Sequence, residues 1–400
     1  MRELYELPEG WEWKKLESIT KLQNGFAFKS KLFTGNGLPI IRIKNIKNEK
    51  VLIDDVVYFQ ANDYNKNLDN YKIKKNDILI AMSGATTGKV GIYTIDKEAY
   101  LNQRVGLFRI DDYNTRNYLF YFLSTQIEIN LEQSLGAAQP NLSSQQINEM
   151  KVPLPPLQEQ KRIVAKLDAL FEKIDRAIAL HQKNMDEADA FMGSVLNDVF
   201  EEMEGKYEKR KLESFDKKMS SGGTPSRKEK IYWHGKIEWF SSGELNQLYT
   251  LPSREKITQT AIDKTSAKLF SKGTLLIGMY DTAAMKMSIL SNDASCNQAI
   301  VGFKPKESEL NIFFIKYQLE YLKKEILEQR QGVRQQNLNL TKIKNVVIEY
   351  PPLPIQQKTV NYLDKISSHI ERVKELQKEK MQHLKALKAS ILDQAFRGKL

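Results

Sequence analysis

The sequence predicts an α+β protein built twice over. Two tandem globular domains are separated by two long helices, which form an antiparallel coiled coil with pseudo-two-fold symmetry. Three observations lead there: a nearly constant internal offset, short β-like runs in matched places, and a heptad that begins after each of two proline pairs. Pro155-Pro156-Leu157 recurs 196 residues later as Pro351-Pro352-Leu353. The same offset carries Lys15-Leu16-Glu17-Ser18 onto Lys211-Leu212-Glu213-Ser214, and SVLNDVF (194–200) onto SILDQAF (390–396). NDILIAMSGATTGKVGI (76–92) aligns with GTLLIGMYDTAAMKMSI (273–289) at 197, and NQRVGLF (102–108) with NQAIVGF (297–303) at 195. An offset that holds along the whole chain marks the duplication of one large unit, not a solenoid of short repeats.

The elements follow in order. Residues 1–154 form the first globular domain. Its runs LPIIRIKNI, DILIAM and VGLFRI are rich in Ile, Val and aromatics and are bounded by Gly, Asn or Asp, which is strand composition. NYLFYFLSTQIEINLEQSL then reads as one helix. Residues 155–204 open on a proline pair, which cannot lie inside a helix but readily precedes one. Val164, Leu167, Phe171, Ile174, Ile178, His181, Met185, Ala188, Met192, Val195 and Val199 then alternate steps of three and four, an a/d seam. His181 in this seam is a polar residue that sets register. Residues 205–350 repeat the globular pattern with KIEWFS, TLLIGM, AIVGFK and the helix NIFFIKYQLEYLKKEILEQR. Residues 351–400 repeat the helix, with a looser seam: Val360, Leu363, Ile366, Ile370, Val373, Leu384, Leu387 and Ile391, and a polar break near Gln377–Lys380. At roughly 1.5 Å per residue, each helix would be on the order of 60 Å long.

The net charge of +11 is unevenly placed. Residues 1–157 carry +2, 158–204 carry −5, 205–354 carry +9 and 355–400 carry +5. The two helices therefore suit each other electrostatically, and the basic second half points to an acidic partner such as nucleic acid. An apolar fraction of 41% suffices for real cores. No run of 18 apolar residues occurs and the first residues have no signal-peptide core, so a cytoplasmic protein is expected. A lone cysteine, Cys296, excludes an internal disulfide and reads as a small buried hydrophobe.

Catalytic motifs are absent. SGATTGKV (83–90) has three residues between its glycines and Val90 after Lys89, where a phosphate loop needs four and a Ser or Thr. A turn whose Lys89 is free to meet a phosphate backbone fits better. LPPLQ and YPPLP are not the proline motif of an adenine methyltransferase, and no glycine-rich turn follows a strand as a methyl-donor site requires. The four histidines show no metal spacing, and the carboxylates are scattered among lysines. The chain reads as a binding protein with no catalytic residues, no metal site and no cofactor of its own.

GAAQPNLSSQQINEMKVPLPPLQEQKRIVAKLD (136–168) and its echo at 332–364 resemble the junction between target-recognition domain and conserved helix in specificity subunits of type I restriction–modification enzymes. LPEGWEWKKLES, SGATTGKVG and the terminal AFRGKL are similar to that family too, so the resemblance covers essentially the whole chain. It implies two target-recognition domains (1–154 and 205–350), each reading one half of a bipartite double-stranded DNA target, and two conserved helical spacers (155–204 and 351–400). It implies two methyltransferase subunits docked on the helices and restriction/translocase subunits joining them. S-adenosylmethionine, ATP and Mg²⁺ would belong to those partners. Two other readings remain: the specificity subunit of a two-subunit enzyme that cuts without translocation, and a coiled-coil scaffold that binds no DNA.

Base readout uses side chains such as Arg, Lys, Asn and Gln presented from loops or strands. In the first domain the candidates are Asn24, Phe26, Lys29, Arg42, Lys44, Asn45, Thr86, Thr87 and Lys89. In the second they are Ser221, Thr224, Arg227, Lys228, Lys230, Ser242, Tyr280, Lys286, Arg334 and Gln335. The stretch SSGGTPSRKEK (220–230) stands out, because a glycine-rich loop with basic and hydroxyl groups can lie close to a phosphate backbone.

Overall fold

The structure, a computed structural model, describes residues 5–134, 141–330 and 337–400. Contacts divide the chain into two compact units, Met1–His181 with Lys378–Leu400, and Gln182–Gln377. Each unit thus contains one globular part and a portion of both long helices, Leu157–Met203 and Leu353–Phe396.

In the first unit, a six-stranded sheet runs in the order Leu22–Asn24, Val105–Phe108, Ile78–Ala81, Val90–Ile92, Lys50–Val51, Ile46–Lys47. A four-stranded sheet (Val57–Phe59, Leu38–Ile41, Ala99–Leu101, Lys72–Ile73) lies in the same part. The strand Ile78–Ala81 is buried along its whole length, which explains its unbroken apolar sequence. Its alternate residues serve two cores. Ile78 and Ile80 pack with Tyr118, Leu119 and Leu167, while Leu79 and Ala81 pack with Tyr93, Leu101 and Leu107. The second unit repeats this: Leu275 and Ile277 join Phe314 and Leu363, and Leu276 joins Phe240 and Cys296. Its sheets have four strands (Ser220–Ser221, Ile300–Phe303, Leu275–Gly278, Met287–Ile289) and three (Glu255–Ile257, Trp233–Phe240, Ala294–Cys296). Cys296 is buried, as its sequence suggested, and burial pushes its thiol well above the usual range.

Each helix expected after the strands is broken in two. Tyr113–Thr125 is followed by Ile127–Ser134, and Ile312–Tyr321 by Lys323–Glu328. The breaks fall at Gln126 and Leu322, where ψ rises to about zero (0° and −3°); the Gln126 N–H turns back in a tighter bond to Leu123 O, while the Leu322 N–H keeps the helical bond to Gln318 O (2.9 Å).

The recurring passage is a structural joint. Glu12–Lys15 pairs antiparallel with Lys151–Leu154, and Glu208–Lys211 with Val347–Tyr350, in the same register. From each pairing the chain enters a proline pair and then a long helix. In the first turn Gln160 Nε2 donates to Pro155 O (2.9 Å), and Gln356 Nε2 to Pro351 O (2.8 Å); both glutamines are buried. Two turns further on, Tyr121 donates to Asp168 and Tyr317 to Asp364, fastening the globular part's helix to the long one.

The seam of the first long helix is as the heptad predicts: every position from Val164 to Val199 in the 3–4 series is buried or half-buried. In the first unit Leu167, Phe171 and Ile174 meet Ile391, Leu392 and Phe396; in the second, Val195 and Phe200 meet Val360 and Leu363. The start of each helix therefore lies against the end of the other, an antiparallel pair. The second helix keeps Val360, Leu363, Ile366, Ile370, Leu384 and Ile391 buried or half-buried, as expected, and departs at two positions. Val373 and Leu387 are 42% and 49% exposed, and the seam is taken by Lys374 and Lys388, whose side chains are 18% and 17% exposed. Lys374 bonds Asp189 (2.7 Å), which holds its ammonium above the usual lysine range. Lys388 reaches Asp175 (3.4 Å) and Glu49 (3.0 Å), with its ammonium 4.8 Å from the centre of the Phe171 ring. The complementarity of the acidic and basic helices is thus made at two points inside the seam.

Glycine is demanded where strand ends meet. A Cβ on Gly25 would lie 2.1 Å from Asn102 O, and one on Gly222 would lie 2.2 Å from Cys296 O. A Cβ on Gly223 would lie 2.3 Å from Ser266 O. Internal packing therefore requires the glycines of SSGGTPSRKEK at these positions.

Gln356 also accepts from Asn311 N (2.8 Å), whereas Gln160 Oε1 has no partner among the described residues. Gln356→Leu should accordingly cost about 2 kcal/mol and Gln160→Leu about 1 kcal/mol; urea unfolding of both variants with equal losses would contradict this. Lysines in an apolar seam set register at the expense of stability. The double variant Lys374→Leu/Lys388→Leu should raise the thermal midpoint, and a lowered midpoint would mean that the ion pairs are net stabilising.

Candidate nucleic-acid interface

In the first unit, the end of the Leu38–Ile41 strand and the turn after Ile78–Ala81 come together. The one-turn helix Ile43–Asn45 lies beneath the turn Gly84–Thr86, with Ile43 Cδ1 3.4 Å from where a Cβ on Gly84 would sit. The short helix that carries Lys44 and is flanked by Arg42 thus touches the turn that carries Thr86. Arg42 Nε, Ser83 Oγ and Thr86 Oγ1 are buried and have no partner among the described residues. Lys44 is tied to Asp55 (2.7 Å), and this bond holds the Asp55 carboxyl below the usual range. Lys89 is exposed, with no partner among the described residues. Asn24 is exposed and accepts from Ser144 (2.9 Å). Lys29 is exposed, and its backbone N–H donates to the Tyr64 hydroxyl (2.8 Å).

Three candidates of this unit support the loops instead of facing outward. Asn45 is 2% exposed: its Oδ1 accepts from Arg42 N (2.9 Å) and its Nδ2 donates to Asp55 O (3.0 Å). Thr87, also 2% exposed, donates to Gly84 O (2.7 Å). Phe26 sits among the rings of Phe28, Tyr64 and Tyr71. Caps and readers use the same residue types, so the sequence does not separate them.

In the second unit, Ser242 belongs to the one-turn helix Ser242–Glu244 at the end of Trp233–Phe240. Asn246, just beyond it, donates to Gly243 O (2.6 Å) and accepts from Lys286 Nζ (3.0 Å), so Ser242, Lys286 and Tyr280 share one region. Ser221 is half-buried in its two-residue strand, and Thr224 donates to Gln298. Arg227 forms a two-pronged pair with Glu255 (2.7 and 2.9 Å) and lies 4.6 Å from the centre of the Trp233 ring. The pair holds the Glu255 carboxyl below the usual range. Lys228 and Lys230 are exposed. Lys230 lines a surface groove with Arg227, His234, Arg254, Lys256 and Glu255, five potential cations to one carboxylate. Arg254 and Lys256 are not among the residues that the sequence singles out; their place on either side of Glu255 was the available signal. Arg334 and Gln335 lie outside the described residues.

Among the described residues, no cluster of three His, Cys, Asp or Glu side chains could hold a metal ion, and no helix is long and apolar enough to cross a membrane. The arrangement is one of exposed cations and hydrogen-bonding side chains on loops at the ends of strands, chemistry suited to phosphates and base edges.

The model of the type I restriction modification DNA specificity domain matches the chain twice, over residues 8–184 and 204–380. The EcoAI specificity subunit of Escherichia coli is 32% identical over 203 residues, 48% of this chain and 34% of that protein. The MjaVIII specificity subunit of Methanocaldococcus jannaschii is 31% identical over 206 residues, 49% of this chain and 46% of that one. The chain thus spans between a third and a half of these relatives' length. The EcoKI specificity subunit of Escherichia coli K12 is 23% identical over 439 residues, 99% of this chain and 90% of that protein. A solved chain from work on complex assembly and conformational transition of the type I R-M system shares the fold, with a TM-score of 0.71, 22% identity and coverage of 99% and 100%. The two matches to the family model are offset by 196 residues, the spacing that the internal repeat and the paired joints already have. The chain belongs to the type I restriction modification DNA specificity family.

Proposed function

We propose that this chain is the sequence-specific DNA-binding specificity subunit of a type I restriction–modification complex. Each globular part reads one half of a bipartite double-stranded target, and the paired helices set the unread spacer. The observation that carries this is the double family match on two units whose joints agree residue for residue while their loops differ. That division suits two different half-sites presented on one common frame.

Two methyltransferase subunits would dock on the helices, and restriction/translocase subunits would join them. Support comes from apolar side chains that the long helices leave exposed, among them Leu180, Phe191, Tyr362 and Leu376. S-adenosylmethionine, ATP and Mg²⁺ would be held by those partners, and this chain would contribute recognition without catalysis.

The test is a map of N6-methyladenine across the source genome with the gene intact and deleted. Loss of methylation at one split, asymmetric motif is expected. An unchanged map in a strain whose methyltransferase is expressed would contradict the proposal.

A further inference from the structure

The turns 83–89 and 280–286 share a pattern of backbone hydrogen bonds and differ in their side chains; the first has an additional left-handed residue, Gly84 at φ 77°. Gly88 N donates to Ala81 O at 2.8 Å, and Met285 N to Gly278 O at 2.8 Å. Ala81 N meets Lys89 O and Gly278 N meets Lys286 O, both at 2.8 Å. Lys89 N meets Thr86 O and Lys286 N meets Ala283 O, both at 3.0 Å. The turns are anchored from outside in the same way, by Leu142 N on Met82 O (2.8 Å) and Leu338 N on Met279 O (2.9 Å). Each passes through a left-handed residue, Gly88 at φ 83° and Met285 at φ 59°. A non-glycine residue there is strained, because its Cβ crowds the following carbonyl oxygen. The second turn therefore keeps its shape against a local penalty, with the Met285 side chain buried in the core.

On this shared backbone the side chains pair as Ser83/Tyr280, Gly84/Asp281, Ala85/Thr282, Thr86/Ala283, Thr87/Ala284, Gly88/Met285 and Lys89/Lys286. Only the lysine is common. No internal bond explains this, because Lys286 meets Asn246 whereas Lys89 has no partner among the described residues. Half-sites of different sequence have the phosphate backbone in common and differ in their base edges. A residue held constant on a constant backbone fits the former, and residues that vary on it fit the latter.

We propose that Lys89 and Lys286 are equivalent phosphate anchors, one in each globular part, and that the varied side chains of the same turns, Thr86 in the first and Tyr280 in the second, read bases. The inference rests on the DNA-reading function proposed above and assigns roles within it.

The experiment uses the full chain with its methyltransferase subunit and a duplex carrying the methylated motif. Binding is titrated with NaCl, and each variant's methylation motif is mapped. Lys89→Ala and Lys286→Ala should each reduce the slope of log K against log salt by about 0.9 and leave the motif unchanged, with Lys89→Arg restoring the slope. Thr86→Ala should relax one position of one half-site and leave the slope unchanged. Unchanged slopes in both lysine variants, or a motif altered by either, would overturn the anchor assignment while wild-type binding stands. A wild-type complex that binds no duplex would remove the DNA-reading function itself. Thermal midpoints equal to wild type exclude misfolding, which exposed Lys89 makes a fair requirement.

Discussion

Gln160 and Gln356 reach back from the first turn of each long helix to the carbonyls of Pro155 and Pro351, and so close the joint between a strand pair and a helix. The direction of each helix, and with it the seam it offers, depends on this closure. A proline pair leaves carbonyls without the usual helical partners, and a buried, unpaired carbonyl costs about 1–3 kcal/mol. A glutamine at this place answers that need, which is why Gln160 and Gln356 coincide at the 196-residue offset while the residues between differ. The Tyr121–Asp168 and Tyr317–Asp364 bonds then pin the globular part to the helix it feeds.

The duplication and the first seam were legible because they depend on spacing alone. The second seam was legible only in part. Val373 and Leu387 are apolar and fall on plausible steps, yet Lys374 and Lys388 face inward, because Asp189 and Asp175 stand opposite them. Their long stems bury apolar length while the ammonium finds a carboxylate. Both pairs lie 14 residues apart, in opposite directions on the two helices, as one antiparallel register requires. Only the partner helix settles which neighbouring residue turns inward.

The candidate interface was legible in outline. Lys89, Lys286 and Arg42 sit on loops at strand ends, as their flanking strands implied. Asn45 and Thr87 do not face outward, since the turns on which they sit needed their side chains as internal caps. The 197-residue offset already aligned the turns 83–89 and 280–286, but the loss of both glycines from the second gave no sign that their backbone bonds match. The shared shape rests on backbone bonds, to which side-chain identity is nearly blind. Met285 in a left-handed conformation shows how far side chains can diverge over one backbone course.

The central claim is that each globular part reads its own half-site through a frame that treats the two alike. The most direct measurement replaces residues 205–350 with a copy of residues 9–154 and maps the methylated motif of the resulting complex. A symmetric target is expected, in which the first half-site appears twice as an inverted repeat. Retention of the original asymmetric motif would contradict it, since recognition would then not reside in the exchanged part.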